Sequence, residues 1–255
     1  MAISVDKVYQ KVLALANKEQ RGYITPQEFN LFADQAQLDI FEQYFYDLEQ
    51  RQRAVGNDSE YSDISTNIDE KISLFEQHDR AVGIQPGSGE CFLNNDIGDL
   101  YRLGVVKVSY AGVGGYSCVA DQIQVKDLIN LEKSALCKPT KSRPVYIRYS
   151  KSDISNAMQR LDVIKINPIP TVADSVYVDY IRTPKSPNWT YLISQGKAAL
   201  YNGSAANLQN FELHPSEESN LVIKILQLAG VSIKDFDLTQ MANQEEIKGL
   251  QQEKI

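Results

Sequence analysis

The hydrophobic residues of this chain change their spacing twice, from helical to strand-like and back, and this limits the fold more than any other feature. Near the start, Val5, Val8, Tyr9, Val12, Leu13 and Ala16 fall on one helical face, with Ser4 placed to cap it. A turn is predicted at residues 21–23. Thr25-Pro26-Gln27-Glu28 then opens a second helix with a Thr cap, a proline at the first helical position and a glutamate that completes a capping box. This second helix carries two apolar stripes. Phe29, Phe32, Ala33, Ala36 and Ile40 form one; Leu31, Leu38, Phe41, Phe45 and Leu48 form the other, leaving Gln35, Asp39 and Glu42 on the remaining arc. A helix apolar on two sides must be covered on both. The cover is either the rest of this chain or another subunit, and in the second case Leu38, Phe41 and Phe45 are interface residues.

Residues 50–69 are polar and aperiodic and read as a long loop. Ile68, Ile72 and Phe75 are spaced for a short helix. From about residue 100 the pattern becomes strand-like: 103–110 and 116–123 read as two strands joined by a Gly-rich turn at 112–115. A helix is predicted at 125–136, and strands at 145–149, 161–166 and 175–182. Asn167-Pro168-Ile169-Pro170 breaks the chain between the last two, because proline cannot donate to a ladder. A further hairpin brackets residues 194–197. Pro215, with Glu217 and Glu218 in the first turn, opens an apolar helix over 221–229 that Gly230 is placed to stop. Residues 235–255 form a polar arm whose apolar anchors are Leu238, Met241, Ile247 and Leu250, suited to ordering on a partner. The fold class expected is α+β: N- and C-terminal helices (1–80 with 212–255) forming a helical bundle, and a central antiparallel β-rich region over 81–211.

Several function classes lose support at this level. No signal peptide or stretch long enough to span a bilayer is visible, so no membrane partner is expected. Cys91, Cys118 and Cys137 are odd in number and widely spaced, which predicts free, buried thiols in a reducing compartment. Residues 17–28 have the length of an EF-hand loop, with Gly22 and Glu28 at the expected positions. Arg21, however, occupies a ligand position that needs an oxygen, so calcium binding is not expected. His78 and His214 have no Cys, His or acidic partner at ligand spacing, and His214 before Pro215 reads as a helix entrance. No metal, cofactor or catalytic residue is therefore predicted, and the chain reads as non-enzymatic. Net charge is −7, a poor basis for wrapping DNA. The charge is uneven. Residues 1–80 carry 15 acids and 8 bases, 81–211 carry 10 and 14, and 212–255 carry 8 and 4. Lys133, Lys138, Lys141, Arg143, Arg148 and Lys151 concentrate the positive charge, and Lys138, Lys141 and Arg143 are candidates for docking an acidic neighbour.

Three segments carry a family resemblance. Residues 8–32 (VYQKVLALANKEQRGYITPQEFNLF), 180–189 (YIRTPKSPNW) and the HPSEE block at 214–218 resemble structural proteins of short-tailed bacteriophages, including crAss-like and marine ones. Size and order of elements are similar to head–tail connector (adaptor or ring) proteins, which pair a helical bundle with a β-rich extension. The resemblance implies a virion protein made in the host cytoplasm and assembled as a homo-oligomeric ring, a dodecamer. It implies partners in the portal and neighbouring tail rings, with DNA only in transit through the channel. The two-sided helix and the opposed charges of middle and ends suit a head-to-tail ring. Another tail or capsid subunit, or a soluble protein-binding module or assembly factor, remains open on the sequence.

Overall fold

The structure, a computed structural model, describes residues 3–18, 24–53, 64–85, 87–111, 117–152, 160–171, 174–194, 198–233, 244 and 247–248. In chain order the elements are α1 (Val5–Lys18), α2 (Pro26–Arg53), α3 (Ile64–Ser73), β1 (Glu76–Val82), β2 (Ile84–Gln85), β3 (Glu90–Phe92) and the one-turn α4 (Leu93–Asp96). They continue with β4 (Leu100–Ser109), β5 (Cys118–Gln122), α5 (Val125–Lys133), β6 (Val145–Ser152), β7 (Arg160–Asn167) and β8 (Ser175–Arg182). The hairpin β9 (Tyr191–Ser194) and β10 (Ala198–Tyr201) follows, then a 3-10 turn (Pro215–Glu217) and α6 (Glu218–Ile233). Helix and sheet are thus mixed, as expected. The chain divides into two compact units, Met1–Leu74 with Pro184–Ile255, and Phe75–Thr183.

The first unit holds the helices α1, α2, α3 and α6 together with the β9–β10 hairpin. Its local starts follow the sequence chemistry. Glu28 Oε2 accepts from the Thr25 amide at 3.0 Å, and Thr25 Oγ1 accepts from the Glu28 amide at 3.3 Å, so the capping box is closed. His214 caps the 3-10 turn by accepting from the Ser216 amide at 3.3 Å. Helix α2 packs against α3 and α6, and α1 packs against α6. Phe29, Phe41, Leu221 and Ile225 are among the fully buried side chains. Gly230 does not stop α6, which runs on to Ile233; Gly230 is itself buried, and the tertiary surroundings override a terminal preference that is only statistical.

The second unit is built on an eight-stranded sheet in the order β1-β8-β4-β5-β6-β7-β3-β2. One departure from the antiparallel expectation stands out: β5 and β6 pair in parallel, through Asp121 opposite Val145. Parallel neighbours require a crossover, and α5 supplies it. Alternation along β6 explains where α5 sits. Tyr146 joins the main core with Val106, Val108, Ile164 and Val178, whereas Val145 and Ile147 on the opposite face pack with Leu128 of α5. Strand β1, Glu76-Gln77-His78-Asp79-Arg80-Ala81-Val82, has no strand-like sequence pattern. It is an edge strand held by its ladder to β8, exposed along most of its length.

The boundaries of the units fall at 74/75 and 183/184 rather than 80/81 and 211/212. The reason is local. β1 belongs to the sheet, and the segment after Thr183 is bonded to the helices: Lys185 O accepts from Gln37 Nε2 at 2.9 Å, and Trp189 N donates to Asn30 Oδ1 at 2.8 Å.

Candidate interaction surfaces

The root of the β9–β10 hairpin is fixed by Trp189. Its indole lies 4.3 Å from the Tyr9 ring and donates from Nε1 to Asp6 Oδ1 at 2.9 Å. It also stacks on Tyr191 and Tyr201 at 5.8 and 5.9 Å, while Thr190 Oγ1 donates to Asn202 O at 2.6 Å. In the hairpin, Tyr201 faces Tyr191 and Leu200 faces Leu192. Successive strand residues point to opposite faces. The tyrosine pair therefore turns towards Trp189, and the leucine pair turns the other way. Leu192, Ile193 and Leu200 are 61, 68 and 55% exposed. Among the described residues neither strand pairs with a third.

A second apolar surface lies on α5. Leu128 points into the sheet, and Val125 and Ile129, one turn apart and more than or close to half exposed, lie along the flank of that buried face. Leu136, just beyond the helix, is 97% exposed. Lys126 and Lys133 on the helix and Lys138, Lys141 and Arg143 after it are all exposed, so this apolar surface belongs to a basic stretch of chain. Lys141 Nζ lies 5.7 Å from the centre of the Tyr110 ring.

The residues singled out from sequence fare differently. Phe41 and Phe45 pack edge-to-face at 5.2 Å and are buried within the chain, so this part of the second stripe of α2 is covered without a second subunit; Leu38 is half-buried and Leu31, at the start of the stripe, is exposed. These two phenylalanines offer no free surface, which corrects the interface reading for them. Lys138, Lys141 and Arg143 are at the surface as a docking role requires. Leu238, Met241 and Leu250 lie outside the described residues, as do the turns at 21–23, 112–115 and 195–197. Of the three thiols only Cys91 is buried, Cys118 being half-buried and Cys137 exposed. Burial, aided by the nearby Asp96 charge, pushes the Cys91 thiol up to about 12 and keeps it protonated. In the EF-hand-like segment, the Glu28 carboxylate is engaged by Thr25, and those two bonds hold it below the usual carboxylate range.

One charged cluster was not anticipated. At β1, Asp79 takes a left-handed backbone (φ 53°), a conformation Asp tolerates better than most residues. Its amide donates to Asp179 Oδ1 at 2.8 Å, and Lys107 Nζ bridges Asp79 and Asp179 at 2.9 and 2.7 Å. His78 lies 3.6 Å from Glu76 and 3.9 Å from Asp179. Hydrogen bonds from Lys107 to Asp179 and then Asp79 raise the Lys107 pKa, so the ammonium stays charged and is no nucleophile. The strands on both sides of β8 bulge at this level. A Cβ at Gly104 would come within 2.9 Å of Asp179 O, so the close approach of β4 to β8 needs glycine there. The cluster thus pins an irregular part of the sheet.

No protein-family model matches the chain, and no curated protein matches it. Among the described residues no helix is long and apolar enough to cross a membrane, and no group of three or more His, Cys, Asp or Glu side chains is arranged to hold a metal ion.

Proposed function

We propose that the chain is a non-enzymatic virion structural protein, a subunit of a head–tail connector or tail ring that docks to the portal or an adjacent ring and continues the DNA channel. The observation that carries this reading is the convergence of the three segments on which the resemblance to short-tailed phage proteins rests. Tyr9 and Phe29 from the first lie 4.7 Å apart, Trp189 from the second lies 4.3 Å from Tyr9, and Glu218 from the third pairs with Lys11 of the first. Segments from the two ends of the chain form one packed cluster, which supports reading them together as one unit. In this reading α1, α2, α3 and α6 are the helical bundle of the ring, and the sheet of the second unit is its β-rich extension. The exposed Lys138, Lys141 and Arg143 supply the docking charge.

Electron microscopy of the purified chain, alone and mixed with a portal, tests the reading. Rings, or particles bound to the portal, support it. Discrete monomers in both samples defeat it. Reversing Lys138, Lys141 and Arg143 to Glu should weaken portal binding, by about 1 kcal/mol or less per pair and multiplied around the ring. Raising the salt should do the same, because exposed charges are screened over about 8 Å at physiological ionic strength.

A further inference from the structure

Asn202 is the one asparagine of the chain that glycine follows. Glycine has no Cβ to hinder the approach of its own amide nitrogen to the side chain before it. Gly203 and Ser204 are exposed, so water reaches the turn. Two hydrogen bonds act on the groups that would react. The Ser204 amide donates to Asn202 Oδ1 at 3.2 Å, an Asx turn that polarises the side-chain carbonyl. Thr190 Oγ1 donates to Asn202 O at 2.6 Å and so draws electron density from the peptide whose nitrogen belongs to Gly203. The first bond makes Asn202 Cγ a better electrophile. The second makes the Gly203 N–H a better acid. We infer that the Asn202-Gly203 pair is a site of self-modification, at which the backbone attacks the asparagine side chain and converts it to aspartate and isoaspartate.

Hydroxide takes the Gly203 N–H proton, and the nitrogen forms a bond to Asn202 Cγ. The negative charge that develops falls on Oδ1, where the Ser204 amide already donates. The Cγ–Nδ2 bond then breaks, and Nδ2 takes a proton from water and leaves as ammonia. Water opens the resulting succinimide at Cγ to give aspartate, or at the main-chain carbon to give isoaspartate. Nothing is oxidised or reduced, and water is the co-reactant. Either product puts a negative charge into a stretch, 186–211, whose single charged residue is Lys197. Isoaspartate also lengthens the backbone at the base of the β9–β10 hairpin, where the Asn202 amide donates to Thr190 O at 2.9 Å and Tyr201 stacks on Trp189. Conversion should therefore loosen this base and change the surroundings of the single tryptophan.

The test follows the full chain by peptide mapping and mass spectrometry during incubation at neutral and mildly alkaline pH. Asn202 should gain the mass of an amide-to-acid conversion, at a rate that rises with hydroxide. Asn207 is the internal control: it is exposed in the same segment but precedes leucine, and it should stay intact. Thr190→Val keeps the shape of the side chain and removes the hydroxyl, so conversion should be about three- to tenfold slower, the value of one hydrogen bond. Asn202→Ser keeps a short acceptor for the Ser204 amide but has no amide to lose. Its Trp189 emission should hold constant while that of the parent shifts in step with conversion. An Asn202 that stays intact in the folded chain while it converts in the chain unfolded in urea overturns the inference, and this comparison decides the matter even where Thr190→Val fails to fold. A folded Thr190→Val chain that converts as fast as the parent overturns it too, because the reaction would then owe nothing to the fold. Parent emission that is unchanged at full conversion refutes the loosening of the hairpin base.

Discussion

Gln37 offers the sharpest test of how the first unit is held together. It sits on α2 with none of its surface exposed. Its Nε2 donates to Lys185 O at 2.9 Å, and its Oε1 accepts from the Glu212 amide at 3.1 Å. One side chain therefore ties α2 to two points of the segment that returns from the sheet. Gln37→Ala leaves a carbonyl and an amide without these partners. A fully buried group so orphaned costs about 1–3 kcal/mol; Lys185 is exposed and Glu212 half-buried, so each falls in the lower half of that range and the total is about 2–4 kcal/mol. For a chain of this size that corresponds to a fall in Tm of roughly 5–15 °C. Urea unfolding followed by tryptophan fluorescence is the assay, because Trp189 is the single tryptophan and belongs to the same unit. Gln35→Ala is the control: Gln35 is exposed and bonds only locally, to Asp39 at 2.7 Å, so its loss should stay within about 0.5 kcal/mol. If Gln37→Ala shifts the midpoint no more than Gln35→Ala, the clamp contributes nothing and the reasoning fails.

Trp189→Phe and Asp6→Ala should each destabilise the first unit by about 1–2 kcal/mol, and together by less than the sum, since both delete the bond between Nε1 and Oδ1. Strict additivity in urea melts followed by circular dichroism would show that the bond is not the cause. Asp174 is a group whose burial raises its pKa but whose bonds from the Thr171 and Ala111 amides and the Thr171 hydroxyl, with the Lys141 charge, lower it further, so that it ends below the ordinary carboxylate value. Its contribution is present in full above about pH 4 and disappears as pH falls through the lower folded value. Asp174→Asn should therefore flatten the acid limb of stability against pH, and an unchanged limb would refute the assignment. A thiol reagent should modify Cys137 rapidly in the native protein and Cys91 only on unfolding. Native-state labelling of Cys91, mapped by mass spectrometry, would contradict its burial.

Elements whose own residues carry the signal were legible. The strand expected at 175–182 is β8 to the residue, because Val176, Val178 and Tyr180 alternate with more exposed neighbours. The capping box at Thr25 and the cap at His214 were readable for the same reason: donor and acceptor lie within four residues of each other. Strand β1 was not legible. Glu76 to Arg80 are all polar, and the strand exists because β8 offers its edge, a fact stored a hundred residues away. The parallel pairing of β5 with β6 was hidden likewise, since alternation marks a strand but not its neighbour. The two-sided pattern of α2 required cover on two sides without saying whose, and the chain itself buries Phe41 and Phe45. The hairpin was expected as an element but missed as a surface. The signal was present in the near absence of charge from 186 to 211, where Lys197 is the single charged residue, a departure from ordinary edge-strand practice.

The order of the units along the chain raises a physical question that the sheet answers. The second unit, Phe75–Thr183, is inserted between two halves of the first, and the clamps at Gln37, Trp189 and Glu218 all join one half to the other. Bringing the ends of a long flexible loop together carries an entropy cost that grows with its length. Here the insertion removes most of that cost by itself. β1, its first strand, and β8, its last long strand, are antiparallel neighbours, with Glu76 opposite Ile181 and the Arg182 amide donating to Phe75 O at 2.9 Å. Once the sheet forms, the chain enters and leaves it at adjacent points, and the first unit meets the equivalent of a short connection. The polar sequence of β1 is then less surprising. Its service is to return the chain beside β8, which backbone pairing performs without any buried side chain before Val82. Damage to the β1–β8 ladder should accordingly be felt in the first unit, whereas the loss of a clamp such as Gln37 should leave the sheet of the second unit intact.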